Sequence, residues 1–264
     1  VLIKNFILPL DLRDPVGSAK RIETRIMLRL DNAWHGFTYE WNEDETDAVL
    51  LTGSKTRPFT ITGTDGRTFA YDWFYPSRTD CFTCHTPAAN FVLGLSTPQM
   101  NSVYTYPASG IRANQLSTLE YLSIFDAPLP APVEQLSAMP DPFEPAAAST
   151  ALRARAYLEA NCAMCHQPGG PVPGGIMDLR WETSTAGTNT VGVAPIFGHI
   201  GIPNGLIIAP AEPDRSILPA RMAHPGPPRM PPLASSRIDT EGLALIREWI
   251  ATMNVPTAHG WHVH

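Results

Sequence analysis

The chain has 264 residues, of which 44% are hydrophobic and 17% charged, with a formal net charge of −6. That balance excludes a disordered chain, and the scattered Lys and Arg exclude a nucleic-acid-binding surface. The apolar runs are short and interrupted, so no transmembrane helix is expected, and the length suffices for two domains.

Residues 1 to about 75 read as β-structure. Ile26, Leu28 and Leu30 alternate with Arg25, Met27 and Arg29, and Phe37, Tyr39 and Trp41 alternate with Thr38 and Glu40. Phe59-Thr60-Ile61, a Thr64-Asp65-Gly66 turn and Phe69-Ala70-Tyr71 predict a hairpin. Val1-Leu2-Ile3 reads as a strand already under way. The expectation is therefore a β-rich domain whose start is truncated, in a chain that has lost a signal peptide.

After His85 the pattern turns helical and loop-like. Asn114-Gln115-Leu116 opens a helix carrying Leu116, Leu119, Tyr121 and Leu122, and the Pro- and Ala-rich stretch from Pro128 to Ala148 reads as a linker. Ser149 or Thr150 can then cap a helix with Ala151, Ala154, Leu158, Cys162 and Cys165 on one face. Near the end, Asp239 caps a last helix, with Ile238 and Leu243 as a hydrophobic staple. Leu243, Ile246 and Ile250 form its stripe, with Trp249 alongside. The expected fold is α+β: an antiparallel β-rich domain over 1–78, a second region with a Pro-rich linker over 79–147, and a mostly helical, loop-rich domain over 148–264.

The four cysteines occur as Cys81-Phe82-Thr83-Cys84-His85 and Cys162-Ala163-Met164-Cys165-His166, so every cysteine belongs to a C-x-x-C-H motif. That spacing is the attachment motif of c-type haem. Each thiol adds to one vinyl group of a porphyrin, and the adjacent histidine turns under the ring to bind iron. Disulfides or redox dithiols leave both histidines unexplained. A shared four-cysteine zinc site would leave them idle and spans 78 positions from Cys84 to Cys162, beyond common zinc-ribbon spacing. Two covalently bound haem c groups are expected, with Cys81, Cys84, Cys162 and Cys165 as attachment points and His85 and His166 as iron ligands. The 27 prolines and 19 glycines agree with long loops wrapped around a large flat cofactor. Pro87 and Pro168 each follow their histidine by two residues. A stiffened turn there can present a carbonyl to the imidazole, or can simply stop a helix.

For the second haem, Met230 is the candidate distal ligand. It lies 64 residues after His166, in Pro227-Pro228-Arg229-Met230-Pro231-Pro232, where prolines hold the backbone extended. Met222 and Met177 are the fallbacks. For the first haem, Met100 follows His85 by 15 residues and His35 is the alternative, with Met27 and Met139 behind them and an open position also allowed. The tail holds His259, His262 and His264, which reads either as a solvated terminus or as a ligand donor to a neighbouring copy.

The whole chain resembles a group of bacterial diheme c-type cytochromes found in planctomycetes and proteobacteria. The resemblance runs through Ile22-Glu23-Thr24-Arg25, Tyr39-Glu40-Trp41-Asn42, Cys84-His85-Thr86-Pro87-Ala88-Ala89, Phe91-Val92-Leu93-Gly94-Leu95 and Asn114-Gln115-Leu116. Pro213-Asp214-Arg215-Ser216, Met230-Pro231-Pro232 and Glu248-Trp249-Ile250 look like a cytochrome c module. The resemblance implies both haems and Met230 ligation, and names no substrate. The expected function is single-electron transfer between redox partner proteins outside the cytoplasm, in the periplasm or beyond. A haem enzyme working on peroxide or a nitrogen oxide is the first alternative. A subunit of a larger complex, or a homo-oligomeric filament, is the second.

Overall fold

The computed structural model describes residues 1–172, 174–233 and 236–254. The terminal histidines lie outside them. Two compact units emerge: Val1–Phe91 with Leu233–Arg237, and Val92–Pro232 with Ile238–His264. The division falls after Phe91, and the first C-x-x-C-H motif belongs to the β-rich unit.

In the first unit, β1 (Leu2–Pro9), β2 (Ala19–Leu30), β3 (Ala33–Trp41) and β4 (Ala48–Leu50) form an antiparallel sheet in chain order. The β2–β3 turn places Asp31 and Asn32 at φ 48° and 62°, the left-handed pair that a tight hairpin requires and that Asp and Asn tolerate. β5 (Lys55–Thr62) and β6 (Thr68–Tyr75) form the expected hairpin, with Phe59 opposite Tyr71 and Gly66 at φ 79°.

The side-chain alternation on β2 differs from the reading above. Met27 is buried and Leu30 is exposed, because Ile22, Glu23 and Thr24 enter the core together and the inner face follows Met27. Glu23 is fully buried, a costly place for a carboxylate unless its oxygens are paired. Arg25 closes on both oxygens and the Trp73 indole N–H donates to Oε2 at 2.8 Å. The Arg25 guanidinium also lies over the Phe6 ring, 4.3 Å from its centroid. α1 (Arg78–Cys84) closes this unit.

The second unit opens with α2 (Thr97–Met100), a small hairpin of β7 (Val103–Thr105) and β8 (Arg112–Asn114), and α3 (Gln115–Tyr121). Asn114 caps α3, accepting from the Leu116 and Ser117 N–H groups. The Pro-rich stretch is not a loose linker. The Asn101 amide donates to the carbonyls of Val133, Leu136 and Ser137, and Asn114 fixes the Asn101 oxygen in turn.

α4 (Thr150–Leu158) starts at a Ser149 cap, and α6 (Thr240–Ala251) starts at Asp239, which accepts from Gly242 N–H at 2.8 Å. α5 (Ile217–Met222) lies between them in sequence. Ala154, Leu158, Ile246 and Ile250 are completely buried in the core that α4 and α6 share. Ala151 is exposed, since α4 enters the core only from Arg153 onward. The α6 stripe runs through Leu245, Ile246, Trp249 and Ile250; Leu243 packs at its edge and Ile238 is exposed.

Gly242 sets the α4–α6 approach. A Cβ there would fall 2.3 Å from the Tyr157 ring, and that ring is held by a 2.9 Å bond from its hydroxyl to Asp239. Gly242→Ala should destabilise the protein by about 1–2 kcal/mol, since overpacking of about 1–3 kcal/mol exceeds the roughly 1 kcal/mol alanine gains in a helix. A denaturant midpoint at or above that of the parent protein would disprove this account of the crossing.

Candidate functional site

The first motif is delivered by α1. Ser77 and Asp80 form a capping box, the Ser77 N–H donating to Asp80 at 2.8 Å and the Asp80 N–H to Ser77 at 3.2 Å. Cys81 is buried against β3 at Gly36, where an added Cβ would lie 3.0 Å from the Cys81 sulfur and 3.4 Å from the Met27 sulfur. A larger residue there would require Cys81 or Met27 to shift by a few tenths of an ångström.

His85 ends α1, its N–H bonded to the Cys81 carbonyl at 2.9 Å. The chain then folds back on itself, with Ala89 and Phe91 N–H groups both donating to the Thr86 carbonyl. Asn90 and Phe91 take φ of 50° and 60°, an uncommon conformation for a bulky aromatic residue. Trp34 stacks on Phe91 at 6.3 Å and Phe82 meets its edge at 6.4 Å, which holds the turn in place. As a result the Phe91 carbonyl stands 2.8 Å from His85 Nδ1. A carbonyl only accepts, so Nδ1 carries the proton and the Nε2 lone pair is free to bind a metal. The stiffened turn expected beyond Pro87 is therefore present, and the residue it presents is Phe91.

The second motif follows α4. At Glu159 the helix widens into a π-helical turn, Glu159–Ala163, which carries Cys162 against the core beside buried Ala163. Cys165 and His166 N–H groups both return to the Cys162 carbonyl, at 3.1 and 2.9 Å. The His166 carbonyl accepts from Leu179 N–H at 2.9 Å. Its ring nitrogen Nδ1 is buried and has no hydrogen-bond partner among the described residues. The turn after it relies on glycine: Gly169 has φ 74°, and a Cβ on Gly170 would lie 2.2 Å from the Cys165 carbonyl oxygen.

Arg221 on α5 ties two other segments together. Its carbonyl accepts from Met230 N–H at 3.1 Å, and its guanidinium donates to the Pro228 carbonyl at 3.1 Å and the Phe197 carbonyl at 3.0 Å. Its charge also disfavours the protonated form of His166. Met230 thus lies on a segment held by Arg221. Met222 is part of the hydrophobic core and Met177 packs against it, as methionines usually do.

Electrostatics are alike at the two motifs. Burial pushes the Cys162 thiol up to about 12, and raises Cys81 as well. Burial also lowers both histidines. At His85 the Phe91 hydrogen bond opposes the shift while Arg25 and Lys4 add to it; at His166 the Arg221 charge adds to it. Neutral imidazoles are the form that binds metal. Protonated thiols suit neither a zinc thiolate nor a redox dithiol, which need a depressed pKa. A thioether has no proton to lose and is at ease in such burial.

The residues present fit a haem at each motif: paired thiols beside a neutral histidine, and at the second motif exposed Ile176, Ile196 and Phe197 on the loops between His166 and α5. Of the candidates for the first haem, Met27 is buried with its sulfur near Cys81 at Gly36. Met100 ends α2 and Met139 bonds to Pro98, both in the second unit. His35 is exposed on β3, and strand alternation sets it on the face opposite Gly36 and Cys81. Among the described residues no three His, Cys, Asp or Glu side chains gather to hold a metal ion, and no helix is long and apolar enough to cross a membrane.

Sequence reasoning missed Phe91 and Arg221, which act through backbone carbonyls that residue types do not announce. It also missed His199 and His224, whose Nδ1 atoms lie 3.1 Å from Gly205 O and 2.8 Å from Gly226 O. No protein family, curated protein or solved structure matches the chain.

Gly170→Val should distort the turn that follows the second motif; where both motifs carry haem, covalent attachment at Cys162 and Cys165 would be lost and the haem bound per chain roughly halved. Peptide mass mapping after haem release would detect it. Full attachment at both motifs would show that the turn is dispensable.

Proposed function

We propose that this protein is a diheme c-type cytochrome that carries single electrons between redox partner proteins outside the cytoplasm. The observation that carries the reading is the repetition: two C-x-x-C-H motifs, each ending a helical segment, each with a buried thiol and a histidine that burial keeps neutral. Bound haem supplies an iron that takes up and releases one electron, at a potential set by its ligands and surroundings.

The chain's own residues supply attachment and tuning. Cys81 and Cys84 hold one porphyrin, and Cys162 and Cys165 the other. His85 binds from Nε2, with Nδ1–H given to Phe91, a bond that fixes the tautomer and raises ligand basicity. His166 would be the corresponding ligand at the second motif, and Met230 would supply a thioether to the same iron. Met/His ligation favours a high potential and leaves no site for a small molecule. Covalent attachment of this kind is built by maturation machinery that works outside the cytoplasm, which is the basis for the proposed exported location.

A second reading, a haem enzyme at the first motif, is favoured by one observation: His35 faces away from Cys81 and the adjacent motif. The ferric spectrum discriminates. A low-spin first haem that ignores cyanide makes the protein a carrier, and a high-spin, cyanide-binding one makes it a catalyst.

Replacing Cys81 and Cys84 with Ser should remove one covalent haem, and replacing Cys162 and Cys165 should remove the other. Two haems by pyridine haemochrome assay in either variant would overturn the proposal. Met230→Ala should abolish the weak absorption of methionine–ferric iron bonding and lower the second haem's potential by on the order of a hundred millivolts, given how far axial ligands tune haem. An unchanged redox titration would exclude Met230 as the ligand.

A further inference from the structure

Arg221 occupies an unusual position in the second unit. One residue makes three bonds to two other segments: its backbone carbonyl accepts from the Met230 N–H, and its two terminal nitrogens donate to the carbonyls of Pro228 and Phe197. Two of these three bonds fall within three residues of Met230, one on each side of Arg229. The prolines at 227, 228, 231 and 232 carry no N–H, so the segment cannot hold itself in place by a ladder of its own. Arg221 thus supplies anchorage that the backbone lacks. Without it the Pro228 and Phe197 carbonyls would each lose a charge-assisted bond.

The side chain is only partly buried, and no carboxylate forms a salt bridge with it among the described residues. Arg180, Arg215 and Arg247 of this unit are paired with Asp178, Glu212 and Asp214, whereas Arg153 and Arg155, like Arg221, donate to backbone carbonyls.

We propose that Arg221 is the positioning residue of the second haem site, its guanidinium tying the segment that carries Met230 to Phe197 so that the Met230 sulfur is presented to the iron. The proposal rests on the reading of Cys162, Cys165 and His166 as a haem site. Its consequence is that the tie resists displacement of Met230 by an outside ligand.

The test uses the protein matured with both haems, with imidazole as the competing ligand. Arg221→Gln removes the two guanidinium bonds and leaves the backbone bond to Met230 in place; Arg221→Lys keeps the charge but offers no planar fork to span two carbonyls. Arg221→Gln should bind imidazole at the second haem at least about tenfold more tightly than the parent, the worth of one charge-assisted hydrogen bond. Its methionine–ferric absorption should be present without imidazole and be lost at a correspondingly lower imidazole concentration. Arg221→Lys should also gain imidazole affinity, and it keeps the test open if the Gln variant does not fold. Unchanged imidazole affinity in both variants would overturn the proposal. If the parent protein carries no haem at Cys162 and Cys165, the underlying reading fails instead, and the haemochrome count reports that separately.

Discussion

Removing a charged form from water costs more than any single contact around these motifs returns, and that cost determines which species their side chains adopt. Acids and bases respond in opposite directions. The thiols of Cys81 and Cys162 rise, the latter to about 12, while the imidazoles of His85 and His166 fall. All four groups are consequently neutral at neutral pH. A neutral imidazole is a ready metal ligand, whereas a neutral thiol is a poor one, and this asymmetry gives the histidine and cysteines of each motif different jobs. Everything else at the motifs, from the capping box to the glycine turns, places these groups where burial can act on them.

The two units reach a similar local state by different means. The first uses backbone: the left-handed residues Asn90 and Phe91 bring a carbonyl to His85, and the aromatic rings of Trp34 and Phe82 hold that turn. The second uses a side chain: the Arg221 guanidinium ties Pro228, two residues before Met230, to Phe197. A backbone device tolerates substitution of the residue that provides it, so long as the strained conformation survives. A side-chain device does not, because guanidinium geometry is not shared by any other residue.

Much of this was legible in the sequence where a pattern is local. The β-rich start, the Thr64-Asp65-Gly66 hairpin and the caps at Asn114, Ser149 and Asp239 each depend on a few adjacent residues, and all appear. The motifs themselves are also local. What could not be read was decided by packing across the chain. Met27 turned inward because Glu23 needed Arg25 and Trp73. The supposed linker became ordered structure because Asn101 lies beneath it. Leu245 displaced Leu243 from the stripe because Gly242 and Tyr157 fix how α6 lies on α4. The division after Phe91 has the same origin, since that residue stacks on Trp34 in the sheet.

The widened turn at Glu159–Ala163 has a consequence for how this segment can vary. In an α-helix each residue advances about 100° around the axis, so a turn holding one extra residue resets the phase of all that follows it. The core face of α4 and the thiol of Cys162 are therefore not in simple helical register; the π-helical turn is the gear between them. Side-chain replacements along α4 leave that phase intact. A single-residue deletion between Leu158 and Cys162 does not: it would swing Cys162, Cys165 and His166 together by about a quarter of a revolution while α4 itself stayed folded. In this part of the chain, residue count is constrained more tightly than residue identity.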